Sequence, residues 1–121
     1  MAKILIIEDE KILGEMYKEK FLEENFEVDL VFSCEEAINY LKSNKPNLIL
    51  LDILIPKENG ITFLKKIKNL FNIQDIPIIA FSNYDKPKTK KEAFALGVRA
   101  YLIKTQYTPK QLVEEIKKIL N

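Results

Sequence analysis

Short apolar runs and longer amphipathic segments alternate along the chain, and this alternation predicts its secondary structure. The apolar runs are rich in branched aliphatic residues and have the length of buried strands. They lie at Lys3–Ile7, Glu27–Phe32, Asn47–Leu51, Ile76–Phe81 and Arg99–Ile103. The segments that follow them have the apolar spacing of helices, over about Lys11–Glu24, Ser33–Lys42, Ile61–Phe71, Pro87–Leu96 and Pro109–Leu120. A strand followed by a helix is therefore predicted five times in succession.

End signals support three of the predicted helix boundaries. Ser33 and Glu36 have capping-box spacing at the start of the second helix, and Thr108 and Gln111 have it at the start of the fifth. Gly97 stands just after the fourth helix, where a left-handed C-terminal cap would be needed. These signals place helix ends independently of the apolar periodicity.

The helical spacing also predicts which side chains face the core. In the first helix they are Ile12, Leu13, Met16, Phe21 and Leu22. In the third helix they are Phe63, Leu64, Ile67 and Leu70. Just before the third helix, Asn59-Gly60 is expected to form a turn, because glycine tolerates positive φ.

The third and fourth apolar runs are hydrophobic on both faces, as strands are when helices cover both sides of a parallel sheet. Pro77 lies near the beginning of the fourth run, where a missing N–H donor costs least. Right-handed crossovers leave few topologies for such a sheet. We expect an α/β fold with a doubly wound, five-stranded parallel sheet of order 2-1-3-4-5, flavodoxin-like, with helices on both faces. At 121 residues the chain is expected to form one domain, residues 1–121.

Composition narrows the chemistry that the chain can perform. It contains no histidine and one cysteine, Cys34, which excludes imidazole metal sites, serine–histidine pairs and a disulfide framework. Its three glycines are too widely spaced for a P-loop or a dinucleotide-binding loop. A net charge of +1 gives no bulk attraction to nucleic acid or to an anionic membrane. Because no apolar stretch is long enough for a membrane span, we expect a cytoplasmic protein.

Polar side chains stand at the carboxyl ends of four predicted strands, where ligands bind in sheets of this kind. Glu8 and Asp9 follow the first strand, Asp52 the third, Ser82 the fourth and Lys104 the fifth. Each of them alone could simply mark where a strand meets solvent. Together, carboxylates about 6 Å apart would repel by roughly 3 kcal/mol per pair, so the cluster needs a counter-ion. Carboxylate oxygens suit a hard divalent cation, and for phosphate chemistry we expect Mg²⁺.

The same set has the groups that a phosphoryl-transfer site needs. A metal ion and the Lys104 ammonium would neutralise phosphoryl oxygens while a carboxylate attacks in line. Asp52 is the expected nucleophile because it follows the central strand, and the product would be a mixed anhydride. An aspartyl-phosphate hydrolase would commonly have a second acid two residues later, where this chain has Leu54. We therefore do not expect a phosphatase of that type.

Four segments, in this order and at these separations, resemble the receiver domain of two-component response regulators. They are Ile4–Glu10, Leu50–Gly60, Ala80–Ser82 and Ala95–Lys104. The resemblance covers essentially the whole chain. It implies a phosphoacceptor signalling protein that is not an enzyme and that catalyses only its own phosphorylation and dephosphorylation.

The resemblance implies a role for each charged residue of the set. Asp52 would accept a phosphoryl group from a phosphohistidine on a sensor histidine kinase or a phosphotransfer protein. Asp9 and Asp52 would ligate Mg²⁺ directly together with the backbone carbonyl of Leu54, and Glu8 would hold it through water. Lys104 would pair with the acidic cluster before transfer and with the phosphoryl oxygens afterwards.

Ser82 and Tyr101 would form the switch that this resemblance implies. The Ser82 hydroxyl would move toward the phosphoryl group, and Tyr101 would turn into the space so vacated. That movement would remodel the face made by the fourth helix, the fifth strand and the fifth helix, where a downstream protein target would bind. Taken from its position alone, Tyr101 is more simply a half-buried packing residue on a strand.

The chain departs from the family pattern directly after Lys104. The family usually has a proline there, often after a cis peptide bond, whereas this chain has Thr105. A cis bond before a non-proline residue costs roughly 2.5–4 kcal/mol, so we expect a trans bond or an altered loop. Leu54 and Tyr84 occupy the two positions that tune phosphoryl lifetime in the family, and their bulk predicts a slowly decaying phosphoprotein.

The leading interpretation is a single-domain switch without an output domain, monomeric or pairing transiently on phosphorylation, with no direct contact with nucleic acid or membrane. One alternative is a phosphorylation-independent interaction module on the same fold. Another is the truncated receiver of a longer DNA-binding regulator. A flavin carrier of flavodoxin type is disfavoured, because the acidic run Glu8–Glu10 would repel a phosphate after the first strand.

Overall fold

The computed structural model describes residues 2–54 and 59–121, and these form five strands and five helices in strict alternation. The strands are β1 (Lys3–Ile7), β2 (Glu27–Val31), β3 (Leu48–Leu51), β4 (Ile78–Ser82) and β5 (Ala100–Ile103). The helices are α1 (Lys11–Glu23), α2 (Cys34–Leu41), α3 (Gly60–Leu70), α4 (Pro87–Ala95) and α5 (Pro109–Leu120), with a short 3₁₀ helix over Lys104–Gln106. All neighbouring strands pair in parallel, in the order β2-β1-β3-β4-β5, which confirms the predicted topology. No helix within the described ranges is long and apolar enough to cross a bilayer.

Alternate residues of the strands enter two hydrophobic cores, one on each face of the sheet. One core contains Leu5, Ile49 and Ala80 of the sheet with Ala37, Phe63 and Ala93 of α2, α3 and α4. The other contains Ile6, Leu48 and Phe81 of the sheet with Phe21 of α1 and Ile116 of α5. Every residue of β3 and β4 is buried, as their continuous apolar runs predict for strands covered on both faces.

The predicted end signals at Thr108 and Gly97 are present in full, and the one at Ser33 is present in part, because the Glu36 carboxylate accepts from the Ser33 hydroxyl. Ser33 and Thr108 each accept a hydrogen bond from the backbone N–H three residues later, and the Gln111 side chain completes the capping box on Thr108. Gly97 follows α4 with a φ of +96°, in the left-handed region. Local chemistry therefore determined these boundaries correctly.

The predicted inward face of α1 is wrong in part. Ile12 is 86 % exposed, and Met16 and Leu22 are exposed as well. The buried residues of the helix are Gly14, Tyr17 and Phe21, whose spacing of three and four residues forms the stripe against the sheet. A glycine and a tyrosine carry this stripe because Gly14 admits the methyl groups of Leu30 and the Tyr17 ring packs edge-on against Phe81.

Two predictions around α3 are also corrected. Phe63, Leu64 and Ile67 are fully buried, but Leu70, at the last position of the helix, is 60 % exposed. Asn59-Gly60 is not a positive-φ turn: Asn59 caps α3 by accepting a hydrogen bond from the Thr62 N–H, and Gly60 is the first helical residue. Gly60 is a glycine for a different reason, since a Cβ there would lie 2.8 Å from the Ile53 Cα.

Candidate functional site

The carboxyl ends of β1, β3, β4 and β5 meet at one edge of the sheet and surround a cavity of about 280 Å³. The cavity is lined by Asp9, Glu10, Asp52, Leu54, Ser82, Asn83 and Lys104. Five of these seven belong to the residues singled out from the sequence, and parallel pairing is what brings their strand ends together. Positions 55–58 belong to the segment Leu50–Gly60 on which the family resemblance rests, and they lie outside the described residues.

Three carboxylates converge at this edge. One oxygen from each of Glu8, Asp9 and Asp52 lies within 4.8 Å of the other two. Glu8 is 2 % exposed and Asp52 is 8 % exposed, whereas Asp9 is half-buried and lines the cavity. Asp52 lines the cavity too, and a set of carboxylate oxygens with two members at the cavity fits a hard divalent cation, which takes oxygen ligands and keeps some of its water.

Lys104 bridges the two most buried carboxylates. Its ammonium donates to Asp52 Oδ2 at 2.8 Å and to Glu8 Oε1. Burial acts to lower the pKa of Lys104, but the hydrogen bonds to Asp52 and Glu8 outweigh it, and the pKa is raised. Burial raises the pKa of Glu8 despite the opposing hydrogen bond from Lys104. The lysine is therefore held charged in the site, while the site disfavours a charge on Glu8.

Backbone donors hold the remaining oxygens of these two carboxylates. The Leu54 N–H donates to Asp52 Oδ1 at 3.0 Å, and the Glu10 N–H donates to Glu8 Oε2 at 3.1 Å. Each carboxylate thus has one oxygen on the ammonium and the other on a backbone N–H two residues later. This arrangement fixes the plane of the Asp52 carboxylate, as a site that positions a nucleophile requires.

Ser82 and Tyr101 both contact the backbone of Tyr84, in the loop between β4 and α4. Ser82 is fully buried at the end of β4, and its hydroxyl accepts from the Tyr84 N–H at 3.2 Å. The Tyr101 hydroxyl donates to the Tyr84 carbonyl oxygen, and the Lys90 ammonium lies 5.9 Å from the centroid of the Tyr101 ring. Burial, together with the Asp52 charge, raises the pKa of Tyr101 to about 12. Ser82 and Tyr101 are therefore linked through the backbone of one residue, Tyr84.

The loop after β5 contains contacts that the sequence analysis did not foresee. The described residues include no cis peptide bond, which confirms the expected trans bond before Thr105, and Lys104–Gln106 forms a 3₁₀ helix. The Thr105 N–H donates to Asn83 Oδ1 at 3.1 Å. Asn83 and Glu10 also line the cavity, although neither was singled out. Their positions one residue beyond a predicted polar strand end are the signal that would have found them.

Comparison with known proteins gives one consistent family. The family model for the response regulator receiver domain matches residues 4–117. The transcriptional regulatory protein CrdR of Helicobacter pylori is 38% identical over 120 residues, covering 98% of this chain and 55% of that protein. The phosphate regulon transcriptional regulatory protein PhoB of Escherichia coli is 30% identical over 118 residues, covering 98% and 51%. The chain thus spans about half the length of these curated relatives.

Solved structures agree with this comparison. A two-component response regulator from Clostridium difficile superposes with a TM-score of 0.89 at 33% identity, covering 99% of this chain and 96% of that chain. A CheY-like receiver domain protein from Methanospirillum hungatei gives 0.90 at 26% identity, covering 99% and 94%.

Proposed function

The chain belongs to the response regulator receiver domain family of two-component systems, and we propose that it is a switch controlled by phosphorylation of Asp52. The phosphodonor would be a phosphohistidine on a sensor histidine kinase or a phosphotransfer protein. The observation that carries the proposal is the Asp52 carboxylate, buried at the end of the central strand and held by Lys104 and the Leu54 N–H. The absence of histidine from the chain agrees with a donor supplied by another protein.

The metal that fits this site is Mg²⁺. Asp9 and Asp52 would ligate it directly together with the Leu54 carbonyl, and Glu8 would hold it through water. When bound, the ion supplies positive charge that offsets the charge on the transferring phosphoryl oxygens. The clustered oxygens of Glu8, Asp9 and Asp52 support this assignment.

Phosphoryl transfer would make Asp52 the nucleophile. A carboxylate oxygen of Asp52 forms the new bond to phosphorus, and the bond from phosphorus to the donor imidazole nitrogen breaks, with its electron pair staying on that nitrogen. Lys104 would then exchange its contact with Asp52 for a phosphoryl oxygen, so that the added negative charge keeps a cation beside it. The half-open cavity in front of Asp52 leaves room for the donor ring.

The switch would run from Ser82 to Tyr101. As the Ser82 hydroxyl turns toward the phosphoryl group it would release the Tyr84 N–H, and the Tyr101 hydroxyl is bonded to the carbonyl of the same residue. A movement of Tyr101 would change the shape of the surface formed by α4, β5 and α5. We propose that a downstream protein binds to this surface. The receiver would then be a monomer or a transient dimer. Exposed Leu54 and the Tyr84 side chain would hinder an attacking water and prolong the phosphorylated state.

A second candidate concerns the protein as a whole. The relatives CrdR and PhoB are transcriptional regulatory proteins about twice as long as the matched region. The chain could thus act either as the receiver of a longer DNA-binding regulator or alone. Residues 1–121 would be phosphorylated in the same way in both cases. A phosphorylation-independent role on the same fold is the remaining alternative.

Phosphorylation from acetyl phosphate in the presence of Mg²⁺ tests the proposal. Intact-mass measurement should show a gain of about 80 Da, the mass of one phosphoryl group. Asp52→Asn should abolish the gain, and Asp75→Asn, at an exposed acid outside the site, should leave it unchanged. No gain in the wild-type protein, or an equal gain in Asp52→Asn, would favour the phosphorylation-independent alternative.

A further inference from the structure

Lys104 has to reach across the sheet, and regular strand pairing stops just before it. β5 is an edge strand, so the Lys104 side chain passes over the end of β4 to meet Asp52 after β3 and Glu8 after β1. The ladder between β4 and β5 ends at the pair Ser82 and Ile103. The backbone that carries the lysine therefore lies beyond the last rung.

One side chain supplies the next connection. Asn83 directly follows Ser82, and its Oδ1 accepts from the Thr105 N–H at 3.1 Å. The amide oxygen of an asparagine acts here as a backbone carbonyl would, and it extends the link between β4 and the 3₁₀ helix by one bond. A residue without an acceptor at position 83 would remove this hydrogen bond to the Thr105 N–H.

We propose that Asn83 is a positioning residue for Lys104, acting through the Thr105 N–H; this inference rests on the proposed phosphoryl transfer at Asp52. The Lys104 ammonium contacts two carboxylates at once, so a shift of its Cα has to be absorbed by torsions of the side chain or it lengthens one of the two contacts. A small displacement of a group that must meet a transferring phosphoryl oxygen is costly in rate. Fixing the turn at Asn83 limits that displacement.

Asn83 also lines the cavity, so a direct contact between its amide and the phosphoryl group is the competing explanation. The two explanations differ in what happens when the Thr105 donor is removed. If Asn83 acts as a tether, that is, by holding the Thr105 N–H, its substitution has no effect once that N–H is removed. If Asn83 contacts the phosphoryl group directly, its substitution has the same effect with or without that N–H. Proline at position 105 removes the donor, because it has no backbone N–H.

A double-mutant cycle separates these cases. The rate of phosphoryl gain from acetyl phosphate at saturating Mg²⁺ is measured for wild type, Asn83→Ala, Thr105→Pro and the double variant. Asn83→Ala should slow the reaction about three- to tenfold in the wild-type background, the range that one such hydrogen bond can supply. Thr105→Pro by itself sets a new reference rate. Relative to that rate, adding Asn83→Ala should change the rate less than twofold. Asn69→Ala, at an exposed asparagine of α3, is the matched control.

Nuclear magnetic resonance gives a readout that does not need phosphorylation. The Thr105 amide should exchange with solvent more slowly in the wild type than in Asn83→Ala, and Asn83→Asp, which keeps the acceptor oxygen, should restore the protection. The Lys104 Cε signal should shift in Asn83→Ala and should not shift further when the same change is made in the Thr105→Pro background. A merely structural effect on folding would move neither signal selectively.

The outcomes distinguish the inference from the function on which it rests. A wild-type protein that gains no phosphoryl group refutes the proposed function, and the tether is then judged on the amide exchange and the Lys104 signal. Equal slowing by Asn83→Ala in both backgrounds overturns the tether in favour of direct contact. An unchanged rate, or an unprotected Thr105 amide in the wild type, also overturns it.

Discussion

Replacing Lys104 with methionine tests how the buried charges are balanced. Methionine keeps most of the length of the lysine side chain and removes its charge and its donors. Glu8 and Asp52, each largely shielded from solvent, would then face each other with no ammonium between them. In a buffer that contains EDTA, no metal ion can take its place.

The expected cost of Lys104→Met follows from the distances in the site. Two unit charges no more than 4.8 Å apart repel by at least about 3.5 kcal/mol at an effective dielectric constant of about 20. The folded Lys104→Met variant can avoid this repulsion by binding a proton at one of the two carboxylates. Protonating a carboxyl of ordinary pKa 4.5 at pH 7 costs about 3.4 kcal/mol. Both routes lead to a loss of about 3 kcal/mol in the free energy of unfolding at pH 7, the size expected when one partner of a buried pair is removed.

The loss should depend on pH in a defined direction. Burial already raises the pKa of Glu8, and Lys104 opposes that rise, so the substitution raises the pKa further. Above pH 4.5 the folded variant then binds a proton that the unfolded chain has released, and stability falls as the pH rises through the folded-state pKa. The deficit should therefore be smaller at pH 5 than at pH 7.

Urea unfolding at pH 5 and pH 7, with EDTA and with Mg²⁺, measures this prediction. Lys118→Met is the control: that lysine side chain is 74% exposed, and its loss should stay within about 0.5 kcal/mol. Mg²⁺ should stabilise Lys104→Met more than wild type, because a cation that binds only the folded state adds stability and no longer competes with the ammonium. A deficit below about 1 kcal/mol at pH 7 in EDTA, or one that grows on acidification, would refute the reasoning.

Two further pairs of substitutions test the packing by urea unfolding. Gly60→Ala should cost about 1–3 kcal/mol, because its Cβ would press on the Ile53 main chain. Gly14→Ala should stay within about 1 kcal/mol of wild type, since its Cβ would press only on the end of the Leu30 side chain, with Glu8 at ordinary contact distance, and the helix gains about 1 kcal/mol of propensity. Equal costs at the two glycines would contradict this account. On α1, Phe21→Ala should cost about 3–5 kcal/mol. Ile12→Ala should change stability by less than about 0.5 kcal/mol, and a large loss there would mean that the originally predicted inward face was right.

Much of the fold could be predicted because its signals are local or periodic. The strand–helix alternation follows from apolar runs and helical spacing, and the buried strands β3 and β4 indicate a parallel sheet covered on both faces. The caps at Ser33, Thr108 and Gly97 depend on residues within one helical turn of each other. The inward face of α1 was predicted wrongly in part, because a count of apolar positions cannot foresee that Gly14 and Tyr17 carry its buried stripe.

The convergence of the charged strand ends was predictable once the topology was chosen. Parallel strands bring their carboxyl ends to one edge, so the strand ends that carry Glu8, Asp9, Asp52 and Lys104 lie along one edge in a sheet of order 2-1-3-4-5. Their residue types can be read from the sequence and indicate oxygen ligation and charge compensation. The contacts between these residues cannot be read from the sequence, because they join positions as far as 96 residues apart along the chain.

By itself, the sequence determined the order of elements, the helix ends and the kinds of chemical group at each strand end, since these depend on neighbouring residues and on period. Only the tertiary structure decided that Gly60 must lack a side chain beside Ile53, and that Asn83 would hold the Thr105 N–H. Both are close approaches between residues that do not follow one another in the chain, Ile53 with Gly60 and Asn83 with Thr105. Such contacts are set by how the layers pack, to within fractions of an ångström, and no local pattern carries that information.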